Sequence, residues 1–151
     1  MNVCLTEITR ENWENVASLD LFVEQRDFVA DPTSSLAEAA YCHECRPLAI
    51  YNGDELVGML MYHTPLINNE DEINHSYWIM RLLIDKNHQR KGYGRAATNL
   101  LIDTIKKDSA YNKIYVSCEP ANTAAIALYE SMGFVPADRV IDDEIVYVLK
   151  Y

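Results

Sequence analysis

The chain has 151 residues, 49% of them hydrophobic, and a formal net charge of −10 at pH 7. This length favours a single domain over residues 1–151, with enough apolar side chains for a core. The acidic balance argues against a nucleic-acid partner, because nucleic-acid-binding proteins carry broad basic faces. No apolar run reaches about 18 residues, and the N-terminus lacks a basic segment followed by an apolar one, so we expect a cytoplasmic protein with no membrane partner.

Apolar periodicity and turn residues predict an alternation of strands and helices along the whole chain. In chain order the elements are a strand at residues 2–8, one or two short helices between 13 and 28, a helix capped by Ser34 or Ser35 and ended by Arg46-Pro47, strands at 48–51, 56–63 and 76–85, a helix from 92 to 107, a strand at 113–118, a helix at 122–132, and strands at 134–137 and 145–149. Asn52-Gly53 is a hairpin signal, Gly133 is the predicted glycine after a helix C-terminus, and residues 65–74 indicate an exposed loop. This order fits a mixed α/β sheet.

The most informative stretch runs from Arg81 to Arg95, where a buried strand, a polar turn and a helix follow one another. Five basic residues and one acid, Asp85, give this stretch a charge of +4, so the rest of the −10 chain carries −14. Glycines at 92 and 94 let a ligand approach the backbone closely. Since the first N–H groups of a helix lack intrahelical partners and lie at its positive end, this stretch predicts a bound anion.

Two common phosphate-binding motifs do not fit this stretch. The Walker A spacing is absent, and Ala97 stands where the dinucleotide fingerprint needs its third glycine. Gln89-Arg90-Lys91-Gly92-Tyr93-Gly94 instead matches Gln/Arg-x-x-Gly-x-Gly/Ala, and residues 122–134 supply a second motif downstream. In these two motifs the chain resembles the GCN5-related N-acetyltransferases (GNAT). The resemblance implies an α/β (α+β) fold: a mixed, mostly antiparallel twisted sheet of about seven strands with a splayed central pair, flanked by about four helices.

The same resemblance implies that the acetyl group of acetyl-CoA is transferred directly to an amine. The diphosphate of the cofactor would be held by the backbone N–H groups of residues 89–95. The pantetheine arm would pair with the exposed edge of the strand at 82–84, and an N–H group of this strand would polarise the thioester carbonyl. The cofactor-binding residues implied in this way are Leu82, Leu83, Ile84, Gln89, Arg90, Lys91, Gly92, Tyr93, Gly94, Arg95, Asn122 and Tyr129.

Tyr129 is the predicted general acid, which would protonate the leaving thiolate. Family members often carry a tyrosine seven residues after an asparagine, and Asn122 and Tyr129 have this spacing. Seven residues make two helical turns, so both side chains face the same side. A phenol with a reference pKa of about 10 stays protonated at neutral pH. The alternatives are that Tyr129 only packs in the core and that Asn122 only caps the helix.

The acceptor amine must lose a proton before it attacks, and the sequence leaves open which group takes it. Polyamine-acetylating relatives often place a carboxylate in the central strand where Met80 stands here. Glu24, Asp31 and Glu38 in the N-terminal helices and the acids of residues 70–72 are other candidates, as are a water chain or no dedicated base. We take Glu24, Glu38 and Met80 as the candidate substrate residues.

Several segments resemble bacterial spermine/spermidine (diamine) acetyltransferases, namely residues 21–25, 47–51, 56–62 and 81–85. We therefore predict an acetyl-CoA-dependent N-acetyltransferase acting on a primary amine of a small molecule, with polyamines as candidate acceptors that the acidic remainder would attract. A protein or peptide N-acetyltransferase and a non-catalytic acyl-CoA-binding sensor are the alternatives. The resemblance also allows a homodimer.

Cysteines stand at positions 4, 42, 45 and 118. Cys42 and Cys45 have a spacing typical of metal or redox sites, but a zinc site needs a second pair of ligands, and Cys4 and Cys118 are isolated in the sequence. We therefore expect no metal, and free thiols in a reducing cytosol. Whether the Cys42–Cys45 pair has any role stays open.

Overall fold

The computed structural model describes residues 1–151 and contains seven strands, four α-helices and one 3₁₀ turn. In chain order these are β1 (Val3–Glu7), α1 (Trp13–Ala17), the 3₁₀ turn (Val23–Gln25), α2 (Pro32–Tyr41), β2 (Cys45–Asn52), β3 (Glu55–His63), β4 (Tyr77–Ile84), α3 (Tyr93–Ile105), β5 (Lys113–Cys118), α4 (Thr123–Ser131), β6 (Val135–Ile141) and β7 (Glu144–Lys150). The strands form one sheet in the order β1-β2-β3-β4-β5-β7-β6. Only β4 and β5 pair in parallel, so the predicted mixed, mostly antiparallel sheet is confirmed.

Side chains from helices cover both faces of this sheet. On one face, α3 and α4 contribute Leu101 and Tyr129 to the largest buried cluster, which includes Ile79 of β4. On the other face, Val16 of α1 packs in a second cluster with Leu83 of β4. Leu82 packs against the first cluster and its neighbour Leu83 belongs to the second, because successive residues of a strand point to opposite faces. β4 thus serves both clusters and is the centre of the core. None of the helices combines the length and apolar character needed to cross a lipid bilayer.

The start of α2 differs from the prediction. Asp31, and not Ser34 or Ser35, is the N-cap: its carboxylate accepts a hydrogen bond from the Ser34 N–H at 2.9 Å. Pro32 takes the first helical position, where its missing N–H leaves no donor unsatisfied. The prediction was wrong because Asp-Pro, read as the end of one helical pattern, is also an effective start for the next.

The predicted helix stop at Arg46-Pro47 was also wrong, since α2 already ends at Tyr41 and both residues belong to β2. Pro47 lacks the N–H that a central strand donates to its neighbour. Pairing of β2 with the edge strand β1 ends at Leu48. Pro47 therefore lies just beyond the point where β1 would require a hydrogen bond.

Cys42 and Cys45 are joined by a disulfide, so the expectation of free thiols was wrong for this pair. Beyond the end of α2, the Cys45 N–H donates to the Cys42 carbonyl at 3.3 Å and closes a tight turn. This turn brings the two Cα atoms to 5.3 Å, a separation that a disulfide spans. Cys4 and Cys118 are free, as predicted.

The end of α4 fixes the surroundings of Tyr129. Gly133 has a left-handed backbone (φ +95°), as predicted for a glycine after a helix. Its N–H donates to the Glu130 carbonyl, and the Phe134 N–H donates to the Tyr129 carbonyl at 3.1 Å. These two hydrogen bonds turn the chain back, so that the Phe134 ring meets the Tyr129 ring edge-on, with the ring centroids 5.3 Å apart.

The β6–β7 hairpin sets the first residue of β7. Asp142 and Asp143 both have positive φ angles, +50° and +64°, which is the backbone of a two-residue turn that Asp tolerates. The flanking residues Ile141 and Glu144 are paired across the hairpin. Glu144 therefore has a fixed position at the start of β7, beside β5 in the sheet order.

Candidate active site

The two parallel central strands separate at the middle of the sheet. β4 and β5 are paired only from Tyr77 to Ile79, opposite residues 114–116. Next in β4 comes Met80, an extra residue relative to β3, because Tyr62 pairs with Ile79 and the preceding Met61 pairs with Arg81. Such a bulge bends its strand and is common beside active sites. It directs residues 80–84 of β4 away from β5 and opens a gap between them.

The predicted cofactor residues Leu82, Leu83 and Ile84 lie in this diverging part of β4. Their side chains pack into the core, with Leu82 and Ile84 on the α3/α4 face and Leu83 on the opposite face. Their backbone edge has no β5 partner. The strand can therefore pack with its side chains and still offer backbone N–H and C=O groups to a peptide-like arm.

The loop between β4 and α3 presents backbone amides without partners. None of the N–H groups of residues 89–92 donates a hydrogen bond within the protein, and those of residues 93–95 belong to the first turn of α3, which has no intrahelical acceptors. Arg90 and Gly92 have left-handed backbones, with φ of +61° and +85°. Consecutive free amides in such turns form concave anion-binding sites, so the loop can hold a diphosphate.

Side chains around this loop hold it in place. The Gln89 amide donates to the Ile84 carbonyl at 3.0 Å and exchanges hydrogen bonds with Gln25 of the 3₁₀ turn. The buried Asp85 carboxylate accepts from the Asp20 backbone N–H at 3.0 Å. Although burial alone would raise it, hydrogen bonds from the backbone of Asp20 and Asn87 hold the pKa of Asp85 below its usual value. Gln89 and Asp85 thus position the loop, and Asp85 stays charged at neutral pH.

Basic side chains near the loop remain exposed. Lys91 donates to the Asn87 carbonyl at 3.3 Å, and Arg95 donates to the Ser131 hydroxyl of α4 at 2.6 Å. Neither residue is in an ion pair with a carboxylate of the protein. Their charges are therefore available to a bound phosphate, in addition to the backbone amides.

Replacing Gly92 with alanine should weaken coenzyme A binding by about tenfold. A residue with a Cβ is disfavoured in the left-handed conformation by about 1–2 kcal/mol, so the free loop would relax and binding would have to restore its shape; about 1.4 kcal/mol corresponds to tenfold. Isothermal titration calorimetry measures this affinity. Gly53→Ala is the matched control, because Gly53 also has a positive φ (+62°) but lies in the β2–β3 turn. Equal losses of affinity in both variants would contradict the assignment.

Tyr129 lies on the helix that contacts the start of α3. Leu128 approaches Gly94, and Ser131 accepts the Arg95 hydrogen bond. The helix α4, which carries the phenol, and residues 89–95, here called the amide loop, therefore share one face of the sheet. The Tyr129 side chain is only 4% exposed, and its hydroxyl forms no hydrogen bond with the protein. Burial raises the pKa of Tyr129 well above its usual value, and the neighbouring Cys118 adds to the shift. The phenol is therefore a protonated group available as a donor.

Asn122 is the N-cap of α4, and its side-chain oxygen accepts a hydrogen bond from the Ala125 N–H at 3.3 Å. Its side-chain NH₂ group makes no hydrogen bond within the protein. Its capping contact is thus observed, while its predicted contact with the cofactor stays a prediction.

Cys118 is a thiol near Tyr129 that could be considered as a nucleophile. Burial and, to a lesser degree, the Glu144 carboxylate raise its pKa to about 12. The thiolate is the reactive form of cysteine, so Cys118 is unreactive at neutral pH. This chemistry favours direct attack of the acceptor amine on the thioester over an acetylated cysteine.

A cleft of about 710 Å³ opens where β4 and β5 separate. Its walls come from the segment after the 3₁₀ turn, the 65–74 loop, β4, the end of β5 and the β6–β7 hairpin. The lining residues include Arg26, Asp27, His63, Met80, Arg81, Ser117 and Glu144. The predicted substrate residue Met80 lies in its wall, and its substrate role stays a prediction.

Other predicted acids lie elsewhere. Glu38 is paired with Arg81 at 2.7 Å, Asp31 caps α2, and Glu24 is exposed on the 3₁₀ turn. None of the three lines the cleft. The substrate roles of Glu24 and Glu38 stay predictions.

Sequence reasoning missed Glu144. Its carboxylate accepts a hydrogen bond from the Ser117 hydroxyl of β5 at 2.5 Å, directly beyond the last paired residues of β4 and β5. Glu144 also lines the cleft. The signal available in the sequence was its place after the Asp142-Asp143 turn, but the pairing of β7 with β5, which brings Glu144 to the gap, is a tertiary feature.

Comparisons with known proteins agree with this geometry. The acetyltransferase (GNAT) family matches residues 5–134. The probable spermine N(1)-acetyltransferase of Bacillus subtilis subsp. natto is 30% identical over 134 residues, which cover 89% of this chain and 88% of that protein.

Solved structures share the fold. Aminoglycoside acetyltransferase AAC(6')-Ib in complex with coenzyme A aligns with a TM-score of 0.80 at 18% identity, covering 99% of this chain and 95% of that one. Spermidine N-acetyltransferase from Vibrio cholerae in complex with CoA and spermine aligns with a TM-score of 0.74 at 17% identity, over 99% and 95% of the two chains. The sheet predicted from the resemblance is thus confirmed. The comparisons also support the predicted enzyme over the alternative of a non-catalytic acyl-CoA-binding sensor. The chain belongs to the GNAT family and is an N-acetyltransferase that uses acetyl-CoA.

Proposed function

We propose that this enzyme acetylates a primary amine of a small polycation, with spermidine or spermine as the best-supported acceptors. The observation that carries the proposal is the charge of the cleft. Both of its arginines contact carboxylates: Arg81 pairs with Glu38 at 2.7 Å, and Arg26 shares the Asp20 carboxylate with Lys86, at 3.2 and 2.8 Å. The cleft carboxylates Asp27 and Glu144 are in no ion pair. Two unpaired negative charges in one cleft suit an acceptor with more than one ammonium group.

Glu144 is the proposed base in this reaction. Its hydrogen bond from Ser117 fixes the carboxylate at the gap between β4 and β5, and the ammonium form of an amine cannot attack a carbonyl. A positioned carboxylate both binds that ammonium group and accepts its proton. Glu144 would thus be the base that the sequence left unidentified, since Met80 stands where relatives often have a carboxylate.

The remaining steps use the groups around the gap. Acetyl-CoA supplies an activated acetyl thioester when it is bound. The amide loop at residues 89–95 would hold the diphosphate, and a β4 backbone N–H would stabilise negative charge on the thioester oxygen. Once the neutral amine has attacked the carbonyl carbon and the C–S bond breaks, Tyr129 would donate its proton to the departing sulfur. The acylated nitrogen would lose its remaining extra proton to solvent as the amide forms, and the phenol would regain a proton from solvent.

Two further observations support a polyamine. The chain outside the loop of residues 81–95 carries −14, given the total of −10 and the loop's +4, which raises the local concentration of a polycation. The relative that is 30% identical over most of the chain is named as a probable spermine acetyltransferase. A peptide acceptor is the main alternative, and cytoplasmic localisation and a homodimer stay predictions.

The test is acetyl transfer with acceptors assayed in parallel: spermine, spermidine, an aminoglycoside and an unstructured peptide with a free N-terminus. Acetylated products are quantified by mass spectrometry, with the uncatalysed reaction as the blank. We expect kcat/KM for spermine or spermidine to exceed that for the others by at least about tenfold, about 1.4 kcal/mol in transition-state binding. A preference for the peptide, or no preference for the polyamines, would contradict the proposal.

A further inference from the structure

A group of three potential metal ligands lies at the wall of the cleft, outside the groups used in the reaction. The Sγ atoms of Cys42 and Cys45 and a ring nitrogen of His63 lie within 4.8 Å of one another. Cys45 and His63 are direct cross-strand neighbours, the last pair of the β2–β3 ladder. The sequence expectation of no metal rested on a missing second pair of ligands, and His63 supplies a ligand that sequence spacing does not reveal.

The imidazole of His63 is free to coordinate. It is half-buried, lines the cleft and makes no hydrogen bond or ion pair with the protein. Histidine nitrogen and cysteine thiolates are the ligands that zinc prefers, and zinc sites with three protein ligands keep a fourth position for water or another ligand. The turn from Cys42 to Cys45 has the two-residue spacing typical of zinc-binding cysteine pairs.

One of these ligands is buried, and a basic side chain lies beside the turn. Arg46 donates hydrogen bonds to the carbonyls of His43 and Cys45, at 2.5 and 3.0 Å, so a positive charge lies beside the turn. Cys45 is almost fully buried, and its sulfur is 3.6 Å from the sulfur of Met80. Two thiolates with one Zn²⁺ and a neutral imidazole carry no net charge, which suits a partly buried position.

The geometry points to a Zn²⁺ site formed by Cys42, Cys45 and His63, available only when the Cys42–Cys45 disulfide is reduced. Reduction takes two electrons and two protons from an external dithiol, which becomes a disulfide while two cysteine thiols form. Zn²⁺ then binds both sulfurs and releases both thiol protons, and the neutral His63 ring donates a lone pair. Oxidation removes both thiolates and with them the site.

The test uses the full chain, freed of metal, in its disulfide-bonded and reduced states. Zn²⁺ is titrated in competition with a chromophoric chelator. We expect one Zn²⁺ per reduced chain and none per oxidised chain. Cys42→Ser and His63→Ala should each weaken binding by at least about 100-fold, since even outer-shell partners of zinc ligands account for about 10- to 100-fold. Cys4→Ser, which removes an exposed thiol on β1, should change nothing.

A second measurement does not depend on the variants folding. Co²⁺ added to the reduced wild-type chain should give thiolate-to-cobalt charge-transfer absorption and the visible bands of a tetrahedral site. Circular dichroism of each variant checks its fold. Failure of the reduced wild type to compete for Zn²⁺, unchanged binding in folded Cys42→Ser or His63→Ala, or loss of binding in Cys4→Ser would overturn the inference.

Discussion

Tyr129→Phe should lower kcat by about 100-fold or more and leave the KM for acetyl-CoA within about twofold. General acid catalysis typically contributes about 10²–10⁴-fold, and the loss falls on kcat because the proton is needed only as the C–S bond breaks. The ring itself would keep its place, since the Tyr129 side chain is buried against Phe134 and its hydroxyl has no hydrogen-bond partner to lose. Steady-state kinetics with the preferred amine measure both constants.

Tyr115→Phe is the matched control for this change. Tyr115 is also buried, at 5% exposure, but lies in a different core cluster, stacked on Trp78. Deletion of its hydroxyl should leave kcat unchanged. If Tyr129→Phe and Tyr115→Phe had the same kcat, Tyr129 would be a packing residue and not the acid.

The pH profile of the wild type provides another check on Tyr129. A general acid must be protonated, and burial and Cys118 raise the pKa of this phenol above its usual value. The loss of the protonated form is therefore moved to higher pH. We expect kcat to show no decline as the pH passes about 10, where an unperturbed tyrosine ionises. A decline in kcat centred near that pH, absent from Tyr129→Phe, would show an unshifted phenol and contradict the structure.

Glu144→Gln should lower kcat/KM for the amine by about 100-fold at neutral pH. The glutamine side chain has the same shape as glutamate and can still accept the Ser117 hydrogen bond, which spans 2.5 Å in the wild type. Because it is uncharged, it can neither attract an ammonium group nor accept its proton. Binding of coenzyme A, measured by calorimetry, should stay the same because no residue of the amide loop lines the cleft that holds Glu144. The kinetic loss is thus specific to the acceptor.

The kinetic deficit of Glu144→Gln should depend on pH, and the direction of that dependence tests its role as a base. Without a base, the variant can use only acceptor molecules that are already neutral, and this fraction rises about tenfold per pH unit below the amine pKa of about 10.4. The deficit relative to the wild type should therefore shrink as pH rises. Asp143→Asn is the control, since Asp143 is adjacent but lies in the hairpin turn with φ of +64°, which asparagine also adopts. A pH-independent deficit, or an equal loss in Asp143→Asn, would assign another role to Glu144.

Features set by residues close together in the chain were predictable. The amide loop depends on Gly92 and the start of α3, and the surroundings of Tyr129 depend on Asn122 and Gly133, each within a few helical turns. The physical reason is that helix ends, turns and the helix dipole are local effects of neighbouring residues. The same locality explains the error at Asp31, where one dipeptide carries both a stop and a start signal.

The acceptor side of the site was decided by tertiary structure. Glu144 meets Ser117 because β7 pairs with β5, Arg81 is neutralised by Glu38, which lies 43 positions away, and His63 meets Cys45 through strand register. These contacts depend on strand order, register and the bulge at Met80, none of which leaves a pattern in neighbouring residues. The sequence by itself thus determined the loop that would hold a diphosphate and the helix that carries the proposed acid. The folded sheet alone decided which carboxylates line the cleft, because that choice is made between segments far apart in the chain.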